Sequence, residues 1–331
     1  MKSTAIANAN IALVKYWGKR DERLNLPMNS SISMTLDNLC TTTTVKFDEK
    51  YRTDEVVLND KRLGKSEELE RIVRHLNLMR HLAKKKIYAK IESKNNFPTA
   101  AGLASSASGF AALTTAGAKA LGLNLGFREL SIIARQGSGS ACRSIQGGFV
   151  EWEKGRKADG SDSFGKQIAD ERHWKKLRMV IAVTQTKEKK VKSRAGMRQT
   201  MMTSPFYSGW LKTVDADLGS VKRGIMERNF SSVGRTAEHN CLKMHSLMLS
   251  TKPAIVYWNS ATVNAIHAVE ELRENGTEAY FTIDGGPQVK VLCLEKNENK
   301  VRKWVKDVRG IKKVILSRPG KGTMLSGKHL F

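Results

Sequence analysis

The chain has 331 residues, 40% of them hydrophobic and only 6 of them proline, which suits two packed domains with a cleft between them and excludes disordered or collagen-like architectures. Lysine and arginine number 57 against 32 acidic residues, a formal charge of +25. These charges are spread from Lys2 to Lys328 between apolar runs and lack an aromatic platform, so a dispersed basic surface is expected rather than a nucleic-acid stripe.

Taken along the chain, the start lacks the apolar run of a signal peptide, and no stretch of about 18 uncharged apolar residues offers a membrane span. Residues 88–92 alternate polar and apolar character, as a half-buried strand does. Residues 102–121, rich in Ala and Leu and interrupted only by Gly109 and Gly117, predict a buried helix that opens with Ser105, Ser106 and Ser108. A second helix is expected over about residues 127–136, with Leu130, Ile133 and Ala134 on one face, before Gly137-Ser138-Gly139-Ser140 breaks it into a small-residue loop.

Residues 179–183 read as a central strand, and the domain boundary is placed beside it, giving lobes 1–180 and 181–331. Amphipathic stretches follow around 210–226 and 231–249, then a helix over about 259–274. Strands at 279–283 and 289–293 flank the turn-forming Asp284-Gly285-Gly286-Pro287, and 313–316 is a further strand. Cys40, Cys142, Cys241 and Cys293 form no Cys-x-x-Cys pair, so free thiols in a reducing cytoplasm are expected. His75, His81, His173, His239, His245, His267 and His329 show no metal-ligand spacing, and none is assigned catalysis.

One string carries chemistry by itself. Pro98-Thr99-Ala100-Ala101-Gly102-Leu103-Ala104-Ser105-Ser106-Ala107-Ser108 leads a small-residue loop straight into a helix. Free N–H groups and the positive end of the dipole attract anions there, small residues let phosphate approach the backbone, and serine hydroxyls add donors or a magnesium ligand. An ordinary helix start needs one capping serine, and this run is much longer than that. No Walker or Rossmann signature competes with it. Lys15 and Lys19 interrupt an otherwise apolar segment, so at least one is expected to face a cleft.

The Gly-Leu-Ala-Ser-Ser run closely resembles the phosphate loop of the GHMP kinases. Ala9-Asn10-Ile11-Ala12-Leu13-Val14-Lys15-Tyr16-Trp17-Gly18-Lys19 and Pro27-Met28-Asn29-Ser30-Ser31-Ile32-Ser33 resemble the amino-terminal signature of mevalonate diphosphate decarboxylases. Gly137-Ser138-Gly139-Ser140-Ala141-Cys142-Arg143-Ser144, Lys190-Val191-Lys192-Ser193-Arg194-Ala195-Gly196-Met197 and Phe281-Thr282-Ile283-Asp284-Gly285-Gly286-Pro287 follow in that family's order, so the resemblance spans about residues 5–295. It implies an α+β, two-lobed GHMP kinase fold with the site between the lobes, and use of ATP with Mg2+. The implied reaction converts mevalonate diphosphate to isopentenyl diphosphate: phosphorylation makes the tertiary 3-hydroxyl a leaving group, and phosphate and carbon dioxide then depart. A cytoplasmic homodimer acting on a small molecule, with neither nucleic acid nor membrane as partner, completes the expectation.

The resemblance also distributes roles. Asp284 would orient or deprotonate the 3-hydroxyl, although its position before two glycines alone reads as a turn residue. Lys15 lies near the reacting centre, and Tyr16 and Lys19 at the diphosphate. Ser138, Gly139, Ser140 and Arg143 contact substrate; Arg143, counted as catalytic with Asp284 and Lys15, would grip a carboxylate or phosphate by two parallel hydrogen bonds. Ser193 and Arg194 map to a diphosphate-binding loop, next to a basic run, 187–192, that by itself reads as a solvated loop or nucleic-acid patch. Ser93 maps beside the nucleotide base, Gly102, Leu103, Ala104, Ser105, Ser106 and Ser108 to the phosphates, and Ser106 to magnesium. Many relatives carry Asp-Ala-Gly-Pro-Asn where this chain has Asp284-Gly285-Gly286-Pro287-Gln288, a change in turn rigidity and substrate fit. The rival readings are a decarboxylase of mevalonate monophosphate, a mevalonate 3-kinase, which retention of Asp284 and Lys15 disfavours, and a basic nucleic-acid-binding protein.

Overall fold

The computed structural model describes residues 1–97, 105–185 and 189–331, so Gly102, Leu103 and Ala104 of the expected phosphate loop lie outside the described residues. The first half gives β1 (Lys2–Val14), β2 (Lys19–Asp21), β3 (Leu26–Pro27), β4 (Ser31–Asp48), β5 (Glu55–Leu58), β6 (Lys61–Arg62), α1 (Glu67–Leu82) and β7 (Tyr88–Asn95). It continues through α2 (Ser105–Ala120), α3 (Phe127–Gly137), a 3-10 turn (Gly139–Ser144), β8 (Phe149–Trp152) and β9 (Gly165–Ala169). The second half adds β10 (Leu177–Val183), α4 (Ser193–Thr203), α5 (Tyr207–Glu227), α6 (Phe230–Leu249), α7 (Ser260–Glu274), β11 (Tyr280–Ile283), β12 (Val289–Leu294), α8 (Glu298–Asp307), β13 (Lys313–Ser317) and β14 (Met324–Ser326).

Two main sheets, with a small two-stranded β2-β3 ribbon beside them, organise these elements into the expected α+β architecture. The larger runs β14-β1-β4-β7-β5-β6, with β8 and β9 continuing from β4, and the smaller runs β11-β12-β10-β13. The β-branched run Thr41-Thr42-Thr43-Thr44-Val45 suits a pleated surface and pairs with β1 on one side and β7 on the other. Bulges at Asn8/Asn10 and Ala12/Val14 shift the β1–β4 register, the sort of irregularity that re-aims side chains, just where the chain delivers Asn10 and Lys15 to the cleft. Helix α2 is buried nearly all round, and its Ala111, Ala112 and Ala116 join Ala5 and Ala7 of β1 in one core, small side chains that let helix and sheet approach closely.

A second core spans both sheets, joining Ile11, Leu13 and Met34 to Met179, Ile181 and Leu292 and to Val221 and Val233 of the paired helices α5 and α6. The break expected at 180/181 falls inside β10, all seven of whose residues are buried in the smaller sheet. After β13 the chain returns to the larger sheet, where Leu36 bridges Pro319 and β14 pairs with β1. Two expected loops are helical: residues 139–144 form the 3-10 turn, and Ser193 opens α4. Among the described residues, no helix is long and apolar enough to cross a membrane.

Candidate active site

Strand β11 ends at Ile283 and hands the next residue, Asp284, into a cavity of about 970 Å³. Its Oδ1 accepts from Lys15 Nζ at 2.7 Å, and its Oδ2 stands 3.5 Å from Lys290 Nζ. Burial opposes ionisation of this carboxyl, but the charges of Lys15, Lys290 and Arg143 outweigh it and hold Asp284 well below the usual carboxylate range. Lys15 is itself fixed, its Nζ donating to Ala12 O at 2.9 Å and its backbone N–H to Asn240 Oδ1 at 2.8 Å. His245 beneath the turn contacts the Ile283 carbonyl at 3.3 Å, and burial pushes its pKa down to about 3, so it is a neutral core histidine rather than an acid or base.

The cationic end of the cavity is built from three places in the chain. Tyr16 packs edge-on to Trp152 with ring centroids 4.6 Å apart, and its hydroxyl is buried with no hydrogen-bond partner among the described residues. A side chain at Gly139 would put Cβ 2.8 Å from Trp152 and 3.2 Å from Tyr16, so only glycine allows this approach. Ser138 Oγ donates to Ser106 Oγ at 3.3 Å, and the Ser140 carbonyl accepts from Asn10 Nδ2 at 3.0 Å. Arg143 is buried, with Nη1 donating to Ser31 Oγ at 2.7 Å and Nε to Asn10 Oδ1 at 3.3 Å. Helix α4 begins at Ser193 and Arg194 with no side-chain cap, so its positive end faces the cavity that both residues line.

Ser105 and Ser106, the first described residues of α2, line this cavity and also a smaller one of about 100 Å³. Ser93 lines the smaller one beside Thr43, with 2.8 Å between the two hydroxyls. Ser108 corrects the sequence expectation. It is fully buried, its Oγ lies 2.6 Å from Thr41 Oγ1 and donates to the Ser105 carbonyl at 3.3 Å, and it lines neither cavity. It lies one turn deeper than Ser105 on nearly the same helix face, packed against Thr41 of β4.

Several groups at the site escape sequence reasoning. Lys189, inside the basic run read as a solvated loop, donates to Ser193 Oγ at 2.6 Å and to the Gly285 carbonyl. Burial, aided by Lys290, pushes its pKa down to about 8. Lys290, between Val289 and Val291, reads by alternation as a solvent-facing strand position, yet it is fully buried. Arg71 of α1 lines both cavities with its guanidinium 4.6 Å from the Phe110 ring. Among the described residues, the larger cavity carries five lysines and four arginines against four carboxylates, a surplus suited to polyanions.

The glycine that departs from the related pattern has a local reason. A Cβ on Gly285 would stand 3.0 Å from the buried Trp17 ring and 3.5 Å from Ser193 Oγ. Gly285→Ala is therefore expected to destabilise the fold by about 1 kcal/mol through overpacking. Chemical denaturation measures this, and a midpoint at or above the parent's would contradict it.

An α+β fold that encloses a cation-lined cavity between a serine-rich helix start and a carboxylate defines a class of enzymes that act on phosphorylated small molecules. Residues 7–165 match the diphosphomevalonate decarboxylase-like N-terminal domain and residues 179–323 the mevalonate 5-diphosphate decarboxylase C-terminal domain. Diphosphomevalonate decarboxylase of Homo sapiens is 39% identical over 313 residues, covering 88% of this chain and 76% of the human protein. The crystal structure of mevalonate diphosphate decarboxylase from Staphylococcus aureus is 40% identical with a TM-score of 0.93 over 98% of each chain. The solved structure of MDDEF in complex with MVAPP, AMPPCP and magnesium is 43% identical with a TM-score of 0.92, covering 98% of this chain and 99% of the other. The chain belongs to the diphosphomevalonate decarboxylase family.

Proposed function

We propose that this protein is a diphosphomevalonate decarboxylase, converting (R)-5-diphosphomevalonate and ATP to isopentenyl diphosphate, ADP, phosphate and carbon dioxide. One observation carries the assignment of roles: Asp284, Lys15, Tyr16, Lys19, Arg143, Ser105 and Ser106 all line a single cavity, although they come from four separate stretches of the chain. Family membership over both halves of the chain carries the substrate class.

In this reading Asp284 accepts a hydrogen bond from the 3-hydroxyl and orients it. A carboxylate held so far below neutrality is a weak base, so the proton transfers late, as bonding to phosphorus makes the hydroxyl acidic. Lys15 holds Asp284 in place and in its charged form. Arg143, tethered by Ser31 and Asn10, presents its remaining donors to the substrate carboxylate or phosphate. Tyr16, Lys19, Ser138, Gly139, Ser140, Ser193 and Arg194 hold the diphosphate end, with Lys189 between them and the reacting centre. Ser105, Ser106 and Ser93 receive the nucleotide, the polyphosphate at the start of α2 and the base in the smaller cavity.

The residues present fit magnesium as a phosphate-borne ion. No cluster of three His, Cys, Asp or Glu exists among the described residues, whereas Ser106 supplies a hydroxyl oxygen of the hard type magnesium prefers. Bound there with phosphate oxygens and water, the ion would neutralise charge on the transferred group. A two-lobed organisation, cytoplasmic location and a homodimeric state belong to the same proposal, and light scattering in solution reads the last.

The purified protein incubated with ATP, magnesium and each of mevalonate, its monophosphate and its diphosphate is expected to release carbon dioxide and ADP in equal amounts, fastest with the diphosphate. ADP without carbon dioxide would make it a 3-kinase, and preference for the monophosphate would move the substrate assignment.

A further inference from the structure

The two lysines that flank Tyr16 are held differently. Lys15 faces the Asp284 carboxylate at 2.7 Å, whereas Lys19 forms no ion pair among the described residues and donates from Nζ to the amide oxygen of Asn25 at 2.6 Å. Asn25 is buried and has a left-handed backbone, φ 53°, which asparagine tolerates better than most residues. The other end of the same amide donates to the carbonyls of Arg135 at 3.0 Å and Gln136 at 2.7 Å. Those carbonyls lie in the last turn of α3, where a helix leaves its acceptors without intrahelical partners. The next residues, Ser138, Gly139 and Ser140, line the cavity.

We propose that Asn25 is a positioning residue for the diphosphate: it aims the Lys19 ammonium into the cavity and locks it to the end of α3 that presents residues 138–140, without cancelling its charge. This inference rests on the reading of Lys19 as a diphosphate ligand. An amide is the one side chain whose chemistry meets both demands. Its oxygen accepts from the ammonium yet carries no charge, and its NH2 supplies the two donors that the helix carbonyls require. A carboxylate of the same shape would pair with Lys19 and compete with the substrate, while setting an oxygen against two carbonyl oxygens.

The surroundings give the proposal a pH signature. Burial, with Arg194 and Arg71 nearby, pushes the Lys19 pKa down to about 8, and the exposed Glu22 opposes them. Glu67 and Glu68 of α1 and Arg198 of α4 line the same cavity. Rising pH removes the Lys19 charge, so kcat/KM for the diphosphate falls through an alkaline limb near that value. An anion at position 25 favours the ammonium and moves the limb to higher pH.

The test compares the parent, Asn25→Asp, Asn25→Gly and Lys19→Met in steady-state kinetics between about pH 6 and about pH 10, with thermal melting to monitor folding. Asn25→Asp is expected to raise the diphosphate KM at neutral pH about tenfold, change kcat less than about threefold, leave the ATP KM unaltered and move the alkaline limb up by about one pH unit. Asn25→Gly suits the backbone and removes the clasp; it is expected to raise KM similarly without moving the limb upward, and it carries the comparison should the aspartate variant fail to fold. Parental KM and limb in the Asn25 variants, or a loss confined to kcat, would overturn the role of Asn25. If Lys19→Met itself leaves the diphosphate KM unchanged, the reading of Lys19 fails; if it raises KM while both Asn25 variants behave as the parent, only the Asn25 inference fails.

Discussion

Asp284→Asn is expected to lower turnover by about 10³ to 10⁴-fold while leaving ATP binding near the parent's. Asparagine preserves the volume at the end of β11 but removes the charge that Lys15 meets at 2.7 Å and Lys290 at 3.5 Å. Two buried ammoniums then face a neutral amide, and the substrate hydroxyl loses the acceptor that orients it and later takes its proton. The nucleotide contacts assigned to Ser105, Ser106 and Ser93 come from α2 and β7, which belong to the other sheet's lobe, so titration with a non-hydrolysable ATP analogue should be unaffected. Turnover within about tenfold of the parent would remove Asp284 from the reacting centre.

Lys15→Met is expected to have the next largest effect, a fall of about 10² to 10³-fold in kcat/KM near neutrality, together with a change in pH dependence. In the parent the Asp284 carboxyl is held below its ordinary value, so its ionised form, and the stability drawn from its pairing, persists above the unfolded-state pKa and is lost only as pH falls through the folded-state value. Methionine retains the length and apolar stem of Lys15 but removes the nearest cation. Burial, the largest influence on Asp284, then meets only Lys290 and Arg143 among those named, and the carboxyl pKa rises. The acid limb of kcat/KM should therefore move upward by roughly one to three pH units. A limb that stays in place while activity falls would mean that Lys15 acts on substrate directly rather than through Asp284.

Much of the helical half of the fold was legible because its residues repeat with the helical period. The stretches around 210–226 and 231–249 became α5 and α6, 259–274 became α7, and the turn at 284–287 stands between β11 and β12 as expected. The missed elements have identifiable causes. Helix α1 carries an ordinary signature, a Ser66 cap with Glu67, Glu68 and Glu70 in its first turn and Arg80 and His81 in its last, and attention to capping would have found it. Strand β1 alternates over Ala7-Asn8-Ala9-Asn10-Ile11, a period-two signal that attention to this segment would have found, although both faces are buried in the fold. Strand β14 lacks any local signal, because its three residues owe their extended form to pairing with β1 more than 300 residues earlier in the chain.

The sequence by itself determined the family, the residue types of the site and the acidic turn, because those depend on side-chain identity at fixed spacing along the backbone. Tertiary structure alone decided which groups meet. Lys290 and Lys189 joined Asp284 and Gly285, Asn25 joined Lys19 to the end of α3, and Ser108 turned away to Thr41. A lysine solvated on a surface and one buried against a carboxylate have the same local sequence signal; only folding removes the water between distant segments, and that removal gives each charge its partner and its pKa.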